Sequence, residues 1–312
     1  MPPASSSWAI RTVKLRKHYR GGQGIQQVSL QVPRGSIYGF LGPNGAGKTT
    51  TIRLLLGLLQ PEYGSIELLG QSLQARPNVL AKVGALVEAP SLYPHLSGRR
   101  NLEITQRLRG VARQRVADVL DITRLAAAAD RRVGEYSLGM RQRLGIALAL
   151  LGSPELLILD EPTNGLDPAG IADLRQMLHK FAHDSGITIL VSSHLLAEVE
   201  QIATHVGILH GGELRFQGSI DELRRHSTSR VRLLCSPPEQ AATWLNQNGF
   251  SCATGTTDSW LTIAAESRQV PRLIQHLFDA GVTVQDLALE QSSLETMFFE
   301  LTGDPTTAKE VA

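Results

Sequence analysis

The chain has 312 residues, enough for about two domains on the usual scale of roughly 150 residues each. Its 31 Lys and Arg against 29 Asp and Glu leave a formal charge of +2, with 42% hydrophobic and 19% charged residues. Those proportions exclude a disordered chain and a general electrostatic drive toward nucleic acid.

The longest apolar stretch, from Leu144 to Leu159, is broken by Ser153, Pro154 and Glu155. It falls far short of the ~20 apolar residues that a membrane-spanning helix needs. Only two cysteines occur, Cys235 and Cys252, without C-x-x-C spacing, and the opening MPPASSSW lacks a basic start followed by an apolar core. The expected location is a reducing cytoplasm.

Ile10 to Tyr19 and Ile25 to Val32 alternate apolar and polar side chains around Gly21 and Gly22, which predicts an antiparallel hairpin. Ser36 to Leu41 then reads as a strand, Gly42 to Gly47 as a glycine-rich loop, and Thr50 to Leu59 as a helix. From Leu96 to Leu151 the Leu, Ala and Arg spacing predicts a mostly helical insertion. The alternation resumes with strand Leu156 to Leu159, helix Pro168 to Ala182, strand Thr188 to Val191, helix Leu195 to Ile202 and strand Val206 to Leu209. Such alternation implies an α/β fold with a parallel sheet covered on both faces.

Arg224 to Arg230 reads as a linker, which divides the chain into residues 1–225 and 226–312. Beyond it the expected order is strand Val231 to Cys235, helix Glu239 to Asn248, strands Phe250 to Thr254 and Trp260 to Ala264, helix Val270 to Ala280, strand Val282 to Leu289 and helix Ser293 to Leu301. That β-α-β-β-α-β order predicts a small ferredoxin-like α+β module, followed after Gly303 by a frayed tail.

Gly42-Pro43-Asn44-Gly45-Ala46-Gly47-Lys48-Thr49 matches G-x-x-x-x-G-K-[ST] between a strand and a helix that continues with Thr50. Glycines let successive backbone N–H groups turn toward phosphate oxygens, and the helix presents its positive end to the same anion. Lys48 is expected to reach the β- and γ-phosphates of ATP, and Thr49 to offer its hydroxyl to Mg²⁺. The apolar run Leu156 to Leu159 ends in Asp160 and Glu161. Asp160 is thereby expected to hold Mg²⁺, and Glu161 to polarise the attacking water.

Tyr136-Ser137-Leu138-Gly139-Met140-Arg141-Gln142-Arg143 lies just before that acidic strand. With it the chain resembles the ATP-binding cassette (ABC) ATPases, a P-loop NTPase family with an antiparallel β subdomain. The usual Ser-Gly-Gly-Gln of the family's signature reads Ser137-Leu138-Gly139-Met140 here. The resemblance implies that Ser137 and Gly139 contact the γ-phosphate of ATP held by a second subunit. Asn164-Gly165-Leu166-Asp167 resembles the loop that crosses the dimer interface, His194 the switch histidine, and Tyr19 the aromatic that stacks on adenine. Where most members have glutamine, this chain has Glu88, which can ligate Mg²⁺ but cannot donate a hydrogen bond as an amide does.

Ala85 to Pro94, Met140 and the closing Ser293 to Gly303 are similar to the exporter branch typified by bacitracin-resistance ATPases. The resemblance implies a homodimer at the cytoplasmic face of the membrane, partnered with membrane permease subunits and not with nucleic acid. The resemblance further implies that ATP binding closes the dimer, hydrolysis opens it, and the Glu88 loop and helical insertion pass the motion on. The rival is a soluble ABC ATPase of DNA repair or translation, against which stand the single cassette, the lack of a cysteine cluster and the lack of a heptad arm. A non-catalytic regulator would be expected to lack Glu161. Arg99, Arg100, Arg107, Arg109, Arg113 and Arg115 read as a solvated helix face, with a surface toward a partner or anionic headgroups as the functional alternative.

Overall fold

The computed structural model describes residues 7–19, 21, 24–226, 230–250, 252–254, 260–265, 269–290 and 297–298. The chain divides into two compact units, one ending at Ile220 and one spanning Asp221–Gly303.

In the first unit β1 (Trp8–His18) pairs antiparallel with β2 (Gly24–Val28) and β3 (Gln31–Pro33). The single strand expected over Ile25 to Val32 is therefore two. Thr12 bridges the break: its hydroxyl donates to the Val28 carbonyl at 3.0 Å and accepts from the Leu30 amide at 2.7 Å. Gly22, in the expected turn, lies outside the described residues.

Next come β4 (Ile37–Leu41), α1 (Lys48–Leu55), β5 (Tyr63–Leu68), β6 (Gln71–Ser72) and β7 (Val83–Leu86). The insertion follows as α2 (Gly98–Arg109), α3 (Gln114–Ile122) and α4 (Leu138–Leu150), with two short 3-10 turns between α3 and α4. The unit closes with β8 (Leu156–Asp160), α5 (Pro168–Ser185), β9 (Thr188–Ser193), α6 (Leu196–Glu200), β10 (His205–His210) and β11 (Glu213–Ser219). β5, β6, β7 and β11 have no counterpart in the sequence reading. Only Ile66 and Leu68 are buried in β5, and no residue of β11 is, although Leu214 and Phe216 alternate with polar residues along β11.

One sheet has the order β2-β1-β5-β6 with β3 beside β1, and the other has the order β11-β10-β4-β9-β8-β7. The second is parallel from β10 to β7. Strand periodicity splits its side chains between two cores. Leu157 and Leu159 of β8 join Ile189 and Val191 of β9 beneath the helical insertion and α5. Leu156, Ile158 and Leu190 face the other way, with Ile52 and Leu55 of α1 and the antiparallel sheet. Covering both faces leaves only the ends of the strands open for chemistry.

α7 (Ile220–His226) runs into the stretch expected to be a linker, and the units divide ahead of residue 225. Its polar composition conceals two buried side chains, Ile220 and Leu223. The second unit continues with β12 (Arg230–Ser236), α8 (Pro238–Gln247), β13 (Cys252–Thr254), β14 (Trp260–Ala264), α9 (Val270–Asp279) and β15 (Thr283–Glu290). Its sheet order is β13-β14-β12-β15, antiparallel throughout. Val231, Leu233, Leu245, Ile263, Leu273 and Leu277 form its core. Apart from the buried Met297 and Phe298, the expected helix Ser293 to Leu301 and the tail after Gly303 lie outside the described residues.

Candidate functional site

The site gathers at the C-terminal ends of β4, β8 and β9. β4 delivers the chain into the loop 42–47, where Gly45 (φ 81°) and Gly47 (φ 108°) take conformations that side chains rarely adopt. Gly47 also has no room for a side chain, since a Cβ there would lie 2.5 Å from Ile25 Cγ2. It precedes α1 without any side-chain cap, so the first amides of the helix stay available to an anion. Lys48, 6% exposed, donates from Nζ to the Gly42 carbonyl at 2.6 Å and the Pro43 carbonyl at 3.3 Å. The turn closes through Ala46 N to Pro43 O at 3.2 Å, past Asn44 and Gly45.

Asp160 ends β8 and is 2% exposed. Its Oδ2 accepts from Thr49 Oγ1 at 2.9 Å and its Oδ1 from Ser192 Oγ at 2.6 Å. The Ser192 hydroxyl also accepts from the Glu161 amide at 2.9 Å, which pins the acid that follows. Glu161 sits at φ 47°, a left-handed conformation uncommon for a residue with a side chain. Its Oε1 lies 3.1 Å from Lys48 Nζ and its Oε2 2.7 Å from His194 Nδ1. Lys48, Thr49, Asp160, Glu161 and His194 thus meet in one constellation. Ser192 belongs to it too and was missed by the sequence reading, which stopped the strand at Val191. The signal available was a pair of serines, Ser192 and Ser193, directly before His194.

Tyr19 is exposed and follows β1, whose last pairing sets His18 opposite Gly24. Gly24 adjoins the phosphate-type loop, since a Cβ on Gly47 would lie 3.3 Å from its carbonyl oxygen. Tyr19 itself follows that pairing with an exposed ring.

Ser137 and Gly139 stand apart from this constellation. Ser137 caps α4, accepting from the Met140 amide at 3.2 Å. A Cβ on Gly139 would touch Leu166 Cδ2 at 3.6 Å, and one on Gly165 would meet Leu138 Cδ2 at 2.9 Å. The signature and the Asn164 to Asp167 turn are consequently packed together within one chain. Glu88 also lies off the constellation: its carboxylate, 62% exposed, pairs with the Arg53 guanidinium on α1. Among the insertion arginines, Arg99 pairs with Asp130, Arg100 with Glu103 and Arg115 with Asp118.

The donors at Thr49 and Asp160 are both oxygen, the ligand type that a hard divalent cation takes. Among the described residues no group of three or more His, Cys, Asp or Glu could hold a metal by itself. A cation here would complete its shell with phosphate and water oxygens. No helix among the described residues is long and apolar enough to cross a membrane.

Comparison with known proteins agrees with the geometry. The sequence model of the ABC transporter family matches residues 25–164. The bacitracin transport ATP-binding protein of Bacillus licheniformis is 39% identical over 96% of this chain and 99% of its own length. Its counterpart from Enterococcus faecalis is 37% identical over 95% of this chain and 97% of its own length. A solved ATP-binding subunit of an ABC transporter is 31% identical, covers 70% of this chain and 92% of its own, and superposes with a TM-score of 0.62. The chain belongs to the ABC transporter ATP-binding proteins.

Proposed function

We propose that this chain is the ATP-hydrolysing subunit of an exporter for an antibiotic or related drug, working at the cytoplasmic face of the membrane as a dimer beside permease subunits. The observation that carries the reading is the convergence of Lys48, Thr49, Asp160, Glu161 and His194 on the glycine loop. The relatives matched across nearly their whole length are transport proteins, which favours export over a soluble role in DNA repair or translation.

The backbone amides of residues 44–47 and the start of α1 receive the triphosphate, with Lys48 on its β- and γ-phosphates. Thr49 and Asp160 hold Mg²⁺, which when bound neutralises charge developing on the phosphate oxygens. Asp160 is oriented for this by Ser192. Glu161 takes the proton of the attacking water, and His194, on its second oxygen, fixes its direction and reaches the γ-phosphate. Tyr19 stacks on the adenine.

Ser137 and Gly139 serve ATP held by the facing subunit, so the dimer has two composite sites. Because ATP favours the closed arrangement, binding shifts a two-state equilibrium that hydrolysis releases. The test is gel filtration of Glu161→Gln with and without Mg-ATP. A dimer expected only with nucleotide supports the composite site; a monomer that binds ATP without associating overturns it.

A further inference from the structure

The second unit carries a concave site of its own between α8 and α9. Ala241 and Leu245 of α8 and Val270, Leu273 and Leu277 of α9 turn inward at helical spacing and are buried. The flank of each helix is left to line a cavity of about 690 Å³, within the size range of small-molecule sites. Trp244 from α8 and His276 from α9 stack on each other in its lining, with ring centroids 5.7 Å apart and planes at 21°, so they present a joined aromatic surface. Phe250 and Leu273 add apolar surface, and Asn248 and Gln269 add amides.

Among the described lining residues the one permanent charge is Arg272, which is exposed and has no ion-pair partner among the described residues. Among the described residues no Asp or Glu lines the cavity. A bare solvated helix face needs no stacked ring pair beside an unpaired guanidinium. Flat ring surface beside an unpaired guanidinium matches a flat ligand with an anionic edge: the rings receive the plane, and the planar fork of arginine receives the carboxylate.

The geometry points to a binding site in the second unit for a planar aromatic molecule bearing a carboxylate or similar anionic group, separate from the nucleotide site and lined by Trp244, His276 and Arg272. Such a site equips the unit to sense a small molecule independently of ATP.

The test is equilibrium dialysis of the full chain, with saturating ATP present, against naphthalene-2-carboxylate and its uncharged carboxamide. The expected result is saturable one-to-one uptake of the acid, with the amide bound at least fivefold more weakly. Arg272→Gln should lower affinity for the acid about fivefold or more and abolish the difference between the probes. His276→Ala should weaken both, and basal ATPase activity should be unchanged in either variant. Absence of saturable uptake, uptake indifferent to Arg272→Gln, or uptake abolished by ATP would each overturn the assignment. So would self-association that these variants abolish without any probe binding, because the groove would then be a protein contact. None of these results bears on the nucleotide site, which stands or falls on ATP turnover.

Discussion

The Lys48 ammonium lies 3.1 Å from the Glu161 carboxylate, so the cation that should meet phosphate is held by the acid that should activate water. The two functions exclude each other at that distance. Incoming phosphate must displace Glu161 from Lys48, which leaves the carboxylate on His194 alone. Glu161→Gln is therefore expected to lower turnover by about 10² or more, since the amide cannot take a proton. It should also bind ATP a few-fold more tightly, because an uncharged amide oxygen competes more weakly for Lys48 than a carboxylate does. Lys48→Ala should instead weaken binding itself. A fluorescent-ATP titration beside a phosphate-release assay measures both, and weaker binding by Glu161→Gln would contradict the displacement.

Ser192 is fully buried and joins Asp160 to the Glu161 amide through one hydroxyl. Ser192→Ala removes a donor from a buried carboxylate and an acceptor from a backbone amide, a loss of about 1–3 kcal/mol of unfolding free energy. Denaturant titration should report that loss. The variant should also need more Mg²⁺ for half-maximal ATPase activity, because Asp160 Oδ1 is no longer held. A stability loss with an unchanged Mg²⁺ requirement would limit Ser192 to the fold.

The glycine loop and the acids at the end of β8 were legible because each carries its chemistry in consecutive residues with a strand or helix beside it. Ser192 was not: its role comes from lying beside β8 in the parallel sheet, where Asp160 pairs with Ser192. Such a neighbour is fixed by strand order, and sequence distance hides it. The divided hairpin at Thr12 has the same origin, a side chain that interrupts a ladder formed with residues sixteen and eighteen positions away. β11 escaped notice for a different reason. It adds antiparallel to β10 at the sheet edge without burying any residue, and its alternation of Leu214 and Phe216 with polar neighbours is only five residues long.

At the opposite ends of the strands, Lys82 donates to Glu155 at 2.6 Å and Arg34 lies 3.4 Å from the same carboxylate. The hydrogen bond from Lys82, followed by that from Arg34, holds the Glu155 carboxyl below its usual range. A depressed folded pKa means that the stabilisation is complete above the unfolded value and is lost as pH falls through the folded one. Lys82→Met should lower the melting temperature at neutral pH by a small amount, since the pair is exposed. The gap from wild type should narrow below about pH 4, where the unfolded carboxyl is protonated. A gap that widens on acidification would reverse the assignment.

Glu88 stands where an amide is usual, and its carboxylate is paired with Arg53 on the helix that follows the glycine loop. It occupies a left-handed backbone position (φ 58°) just after β7, so the loop is turned sharply at this residue. An exposed ion pair contributes little to stability, about 0–1 kcal/mol, and Glu88→Gln should unfold almost as wild type does. What the substitution changes is the tie between this loop and α1. If the tie transmits motion, ATPase activity of the isolated subunit survives while export by the assembled transporter falls, and Arg53→Gln does the same. If Glu88 instead swings to the metal, Glu88→Gln alone shifts the Mg²⁺ dependence and Arg53→Gln moves it the opposite way by freeing the carboxylate. We expect the first pattern, because Thr49 and Asp160 with phosphate and water oxygens already suffice for the metal. Mg²⁺ titrations of both variants, run beside export assays, tell the two patterns apart, and no change in either assay would leave Glu88 a solvated loop acid.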